Sequence, residues 1–220
     1  MERTRTPWKK SRTFGDIYGG RNRQRMTDNI FARLHGLQAP TATEHLPIFL
    51  VDNASRDFFF PLNEQEICSV LATYVHEDQQ GITHIWLRRA KTTEYRHDEL
   101  PQAEFICGSG VRLITLYPWR CDLIQNFGVK KPSQKTAHIY SKFCSAPTKQ
   151  VHGEWFLQWE MNELKNYMSY VLLHEIGHHV DWYSRRWSNQ NSKKMEEFAD
   201  QYAFQKLSQK SLVWNEAMSA

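Results

Sequence analysis

The order of patterns along the chain predicts an α+β fold, a mixed or antiparallel sheet packed against helices. Three observations carry that expectation. Short segments rich in β-branched and aromatic residues recur through the first two thirds of the sequence, at 46–52, 82–89, 103–107 and 111–117. Two stretches with the i, i+3, i+4, i+7 apolar rhythm close it, one leading through 161–173 and one over 195–207. A helix-start signal, Asn63-Glu64-Gln65-Glu66, falls among the strands.

Taken in order, residues 27–37 read as a short helix ending near Gly36, and 46–52 as a buried strand. The Asn-x-x-Glu cap opens a helix to about His76, with Ile67, Val70, Leu71, Tyr74 and Val75 as its apolar stripe. Strands follow at 82–89, 103–107 and 111–117, with Gly108-Ser109-Gly110 as a hairpin turn between the last two. Pro118 to Phe127 reads as a short helix closed by Gly128, and 136–144 and 150–158 as further strands. Met161, Leu164, Met168, Val171 and Leu172 then mark a largely buried helix.

That helix carries His174-Glu175-Ile176-Gly177-His178, an H-E-x-x-H. Residues four apart lie one above the other on a helix, so His174 and His178 can aim two imidazoles at one Zn²⁺. Glu175 stands beside the first ligand, where its carboxylate can take a proton from a zinc-activated water. Two neutral nitrogens leave the metal's charge uncompensated, so a third ligand is expected further along. On the next helix Glu196 and Asp200 are spaced i, i+4 and share a face. Ser188 to Ser192 has polar turn chemistry, Ser192 reads as the N-cap, and an antiparallel return would bring Glu196 against the two histidines. Asp200, one turn later, can accept from a ligand imidazole and fix its tautomer. Glu197 competes as ligand but points about 100° away around the helix. Gly177 costs about 1 kcal/mol relative to Ala in a helix interior. Its presence reads either as close packing of the helix on the sheet or as clearance for substrate or ligand.

H-E-x-x-H followed on a later helix by Glu196-Glu197-Phe198-Ala199-Asp200 resembles the gluzincin class of zinc metallopeptidases. The wording His-Glu-Ile-Gly-His, with Ala199-Asp200-Gln201-Tyr202-Ala203 after it, is similar to the ImmA/IrrE group; Phe198 stands where that group often has Glu. The metzincin continuation does not fit, because Asp181 and Ser184 occupy its glycine and third-ligand positions. The resemblance covers roughly residues 160–207. It implies a zincin-like fold and a zinc-dependent endopeptidase, with His174, His178 and Glu196 as ligands of one zinc ion, Glu175 as general base and Asp200 behind the ligands. It also implies a protein or peptide substrate, in the ImmA/IrrE group a transcriptional regulator. A zincin-like site places an edge strand over the active helix to hold substrate backbone, and 111–117 and 150–158 are the candidates. His152, Tyr183 and Tyr202 are weaker candidates for direct roles, each with an ordinary structural reading.

Composition bounds the alternatives. At 220 residues and 40% apolar, with eight Trp, nine Tyr and twelve Phe, the chain can fill a single core. No run approaches the roughly 18 apolar residues of a membrane span, and the first residues lack a secretory apolar stretch. Cys68, Cys107, Cys121 and Cys144 are scattered without a C-x-x-C pair, so free thiols and a cytoplasmic setting are expected. Residues 1–25 hold eight Lys and Arg against Glu2 and Asp16, a net of +6 that leaves −2 for the rest of a chain whose total is +4. This arm, 1–25, reads as a solvated tail before a single domain at 26–220; contact with nucleic acid is its functional alternative. For the whole chain, the rival to peptidase activity is a non-catalytic zinc-binding regulatory module.

Overall fold

A computed structural model describes residues 37–89, 101–184 and 191–217, with side chains as far as Gln209. The basic arm, the expected helix at 27–37 except for Leu37, and the first part of the 188–192 turn lie outside these residues. The class is α+β, as the sequence predicts.

Strands β1 (Ile48–Val51), β3 (His84–Leu87), β5 (Val111–Leu116) and β4 (Ala103–Gly108) form one sheet in the order β1-β3-β5-β4. The first three run parallel and β4 is antiparallel to β5. Such a sheet needs a crossover between β1 and β3. Helix α1 (Glu64–Tyr74) lies in that connection, preceded by the two-residue strand β2 (Phe58–Phe59). Asn63 caps α1 as the sequence predicts: its Oδ1 accepts from Glu66 N and its own N–H donates to Glu66 Oε2, both at 2.9 Å. The β4–β5 hairpin closes through Ser109 and Gly110, whose φ values of 48° and 80° are those of a tight primed turn.

Alternation along the strands divides the core. Ile85, Leu87, Phe105, Ile114 and Leu116 face the main core, whereas Ile106, Val111 and Leu113 form a smaller cluster with Leu37 and Trp86. Against the main face lies α3 (Met161–Ser184), packed on β4 and β5 and along α4 (Ser192–Ala217). Leu164, Leu172, Leu173 and Ile176 of α3 are fully buried, each worth about 1.5–3 kcal/mol relative to exposure. Their sum outweighs the helix cost of Gly177. Ser192 is the first residue of α4 rather than its cap.

Three expectations are corrected. Residues 118–127 are not helical: they form β6 (Trp119–Arg120), paired with β2, and then lead into β7 (Ile124–Gly128). Leu123 sits at φ 58° and Trp119 is buried, so strand pairing and burial override the local pattern. Residues 136–144 are not a strand but lie mostly in α2 (Gln134–Tyr140), which Ser133 caps by accepting from Thr136 N at 3.1 Å. Its Ile139 and Tyr140, with Phe143 just beyond, pack on the core as a helical face would. Residues 150–158 are a hairpin, β8 (Lys149–Val151) and β9 (Glu154–Gln158), turning at His152 and Gly153 with φ 49° and 86°. The second sheet runs β7-β9-β8.

The two strands proposed as substrate-holding edges are therefore both interior. β5 is flanked by β3 and β4, and β9 by β7 and β8. Among the described residues the outer strand beside α3 is β4, the antiparallel one.

Candidate metal centre

The α3 helix is continuous through the H-E-x-x-H, so His174 and His178 stack one turn apart with their Nε2 atoms 3.1 Å from each other. Glu196 enters from α4. Its Oε2 is 3.4 Å from His174 Nε2 and its Oε1 is 3.6 Å from His178 Nε2. One donor atom from each of the three residues lies within 4.8 Å of the others. Ligands about 2.0–2.1 Å from a tetrahedral zinc stand about 3.3–3.4 Å apart. The separations of 3.1, 3.4 and 3.6 Å lie near that value, the last two from different Glu196 oxygens, so the donor set fits zinc in chemistry and in approximate spacing. His178 is buried, whereas the Glu196 side chain is 54% exposed, so the cluster faces solvent on the α4 side.

Glu196 reaches the histidines because α3 and α4 approach closely at one point. A Cβ on Gly177 would lie 2.9 Å from Ala199 Cα. Gly177 is thus the close-packing residue, and its neighbour is a helix rather than the sheet. Glu197, the rival ligand, turns away and pairs with Lys193 at 3.6 Å.

Asp200 lies behind His174. Its Oδ1 is 3.1 Å from His174 Nδ1 and accepts from the Tyr170 hydroxyl at 2.8 Å, while its Oδ2 is 2.9 Å from Lys135 Nζ. Burial opposes ionisation of Asp200, but the bonds from His174, Lys135 and Tyr170 outweigh it and hold its pKa well below the usual carboxylate range. Burial likewise works against a charged His174, yet Asp200 and Glu196 raise its pKa to about 9. His178 moves the other way, to about 4, through burial and the positive charge of His174. The two imidazoles thus shift in opposite directions, His174 towards its protonated form and His178 towards its neutral one.

Glu175 is 7% exposed and lies near the Phe105 backbone of β4, whose N–H weakly favours its charged form. Burial, and to a lesser degree Glu196 and Glu104, raise its pKa to about 7 against the opposing pull of His174. A cavity of about 300 Å³ opens beside it. Ala103 of β4, Ile139 and Tyr140 of α2, and Tyr167, Tyr170 and Val171 of α3 form much of its wall, with His174, Glu175 and Asp200 at one side. Its polar groups bond one another: Tyr167 donates to Gln102, and Gln102 donates to the Tyr140 hydroxyl at 3.0 Å.

The weaker sequence candidates have other work. His152 sits exposed in the β8–β9 turn. Tyr202 donates to Asp78 Oδ2 at 2.6 Å, and Tyr183 is 63% exposed with Arg112 over its ring. His179 is buried with its Nε2 3.0 Å from the Gln80 carbonyl. Asp181 is fully buried, and Ser184 donates to its carbonyl. Sequence reasoning missed Tyr170 and Lys135. Tyr170 lies four residues before His174, on the ligand face, and that spacing was a usable signal. For Lys135 the signal was weak: Ser133 offers a helix cap, but the strand-like composition of 136–144 hid the helix that carries the lysine.

The four cysteines are free thiols, two exposed and two buried. Among the described residues no helix is long and apolar enough to cross a membrane. No family model matches the chain, and neither the curated proteins nor the solved structures give a match.

Proposed function

We propose that the chain is a zinc-dependent endopeptidase, with His174, His178 and Glu196 holding one zinc ion and Glu175 moving the proton. The observation that carries the proposal is the convergence of those three donors within 4.8 Å of one another, with a buried carboxylate one residue from the first of them. A structural zinc site has no use for that carboxylate. Zinc bound there would supply Lewis acidity, polarising a carbonyl oxygen and bringing water towards a pKa of about 7. Glu175, buried beside His174, is placed to take a proton from water and return it to the leaving amine.

The protein side of the reaction has an edge and a pocket. Among the described residues β4 is the outer strand of its sheet and borders α3, so an extended peptide would enter alongside it. Val171 and the tyrosine rings of the adjoining cavity can take one side chain of that peptide. The gluzincin and ImmA/IrrE resemblance points the same way, and within that reading a regulatory protein is the substrate class.

The test is cleavage of a denatured proteome by the zinc-loaded chain. Cleavage is expected with the native sequence and absent with Glu175→Gln, which should still bind one zinc. Stoichiometric zinc without cleavage by the native chain, with candidate activators included, would favour the non-catalytic module.

A further inference from the structure

We infer that Lys135 and Tyr170 are positioning residues for the metal centre, acting on His174 through Asp200. The inference rests on the reading of His174, His178 and Glu196 as metal ligands.

The geometry divides Asp200 between three partners from two other helices. Oδ1 faces His174 Nδ1 at 3.1 Å and takes the Tyr170 hydroxyl at 2.8 Å; Oδ2 is 2.9 Å from Lys135 Nζ. A carboxylate on two soft torsions has no fixed plane of its own. Donors on both oxygens give it one. Oδ1 is then held 3.1 Å from His174 Nδ1, where its charge favours the tautomer with hydrogen on Nδ1, and that tautomer leaves the Nε2 lone pair for the metal. Tyr170 is well placed for this because it sits on α3 with His174, so hydroxyl and imidazole are set by the same backbone. Lys135 comes from α2, and its ammonium offsets the negative charge of Asp200. It also ties the cavity wall to the metal centre, since α2 lines the cavity that opens on Glu175.

The plain alternative is that Lys135–Asp200 is a surface ion pair worth little, and that Tyr170 only packs against its ring neighbours. A double-mutant cycle on zinc affinity separates the two. Zinc dissociation constants are measured by competition with a chromophoric chelator for the native chain, Tyr170→Phe, Lys135→Ala, Lys135→Arg and Asp200→Ala. The same is done for Tyr170→Phe and Lys135→Ala in the Asp200→Ala background. Metal-free thermal unfolding of each variant establishes that it is folded. Tyr170→Phe keeps the ring and removes only the hydroxyl. Losses of roughly tenfold are expected for Tyr170→Phe and Lys135→Ala. Both should shrink to within about twofold once Asp200 is absent, and Lys135→Arg should keep native affinity. Native affinity in both single variants, or losses that persist undiminished without Asp200, overturns the inference while leaving the metal centre intact. A native chain that binds no zinc removes the metal centre and this inference together.

Discussion

Gly177 and Ala199 meet where α3 crosses α4, and the space between them admits no side chain: a Cβ at 177 would stand 2.9 Å from the Ala199 Cα and 3.3 Å from its carbonyl oxygen. Both neighbours are backbone or nearly so and cannot rotate away. In an open helix interior Gly→Ala stabilises by about 1 kcal/mol. Here the sign reverses. Gly177→Ala is expected to cost about 1–3 kcal/mol by overpacking, read as a lower urea midpoint, and to weaken zinc binding by moving Glu196 away. A stabilised variant with native affinity would show that the close approach does not position the third ligand.

The two neighbouring glutamates of α4 should separate cleanly. Glu196 lies 3.4 and 3.6 Å from the two histidine Nε2 atoms, whereas Glu197 pairs with Lys193. Glu196→Ala should lower zinc affinity by at least about tenfold. Glu197→Ala should leave it unchanged and shift stability by no more than about 0.5 kcal/mol. Equal losses in the two variants would assign the effect to general charge on the helix.

Metal-free protein should release a proton when zinc binds. His174, with its pKa raised to about 9 despite burial, holds a proton at neutral pH that its Nε2 must give up to a metal. Apparent affinity should therefore rise with pH from 6 to 8. Calorimetric binding heats at pH 7 should vary with the ionisation enthalpy of the buffer, with a slope near about one proton per zinc. Heats independent of buffer would contradict a protonated His174 in the metal-free chain.

Away from the centre, Asp78 ties the segment after α1 to α4. It accepts from Tyr202 and lies 2.6 Å from Lys206 Nζ. Burial alone would raise its pKa, but these bonds outweigh burial and lower it from 3.8. A depressed carboxylate contributes stability above its unfolded pKa and loses it as pH falls through the folded one. Asp78→Asn should therefore cost about 1 kcal/mol near neutral pH, allowing for partial exposure, and the difference from native should shrink below about pH 4. A difference constant down to pH 2 would show that the charge on Asp78 does not stabilise the fold.

Much of the cluster was legible because its signals are local. His174, Glu175 and His178 need only a helix to share a face, and Asn63 and Glu66 make their cap within one turn. Glu196 and Asp200 could be matched to the cluster because the two helices are consecutive and antiparallel neighbours. What escaped depends on distant partners. Trp119 and Ile124 are in strands because β2 and β9 pair with them, and nothing within 118–127 records those partners. In the segment at 136–144, Thr136, Ile139, Tyr140 and Phe143 gave a strand-like composition. Yet Ile139 and Phe143 are also one helical turn apart, and Ser133 offers the cap. With α2 misread, Lys135 could not be brought to Asp200. The identity of the edge strand was hidden for the same reason: β4 and β5 look alike in sequence, and only the parallel pairing of β5 with β3 puts β4 outside.

X-ray absorption at the zinc edge tests the central claim most directly, because the chain also offers four free cysteines as rival ligands. The account predicts one zinc bound only by nitrogen and oxygen at about 2.0–2.1 Å, with the scattering pattern of two imidazoles. Sulfur in the zinc shell at about 2.3 Å, or reconstituted protein that retains no zinc, would contradict it.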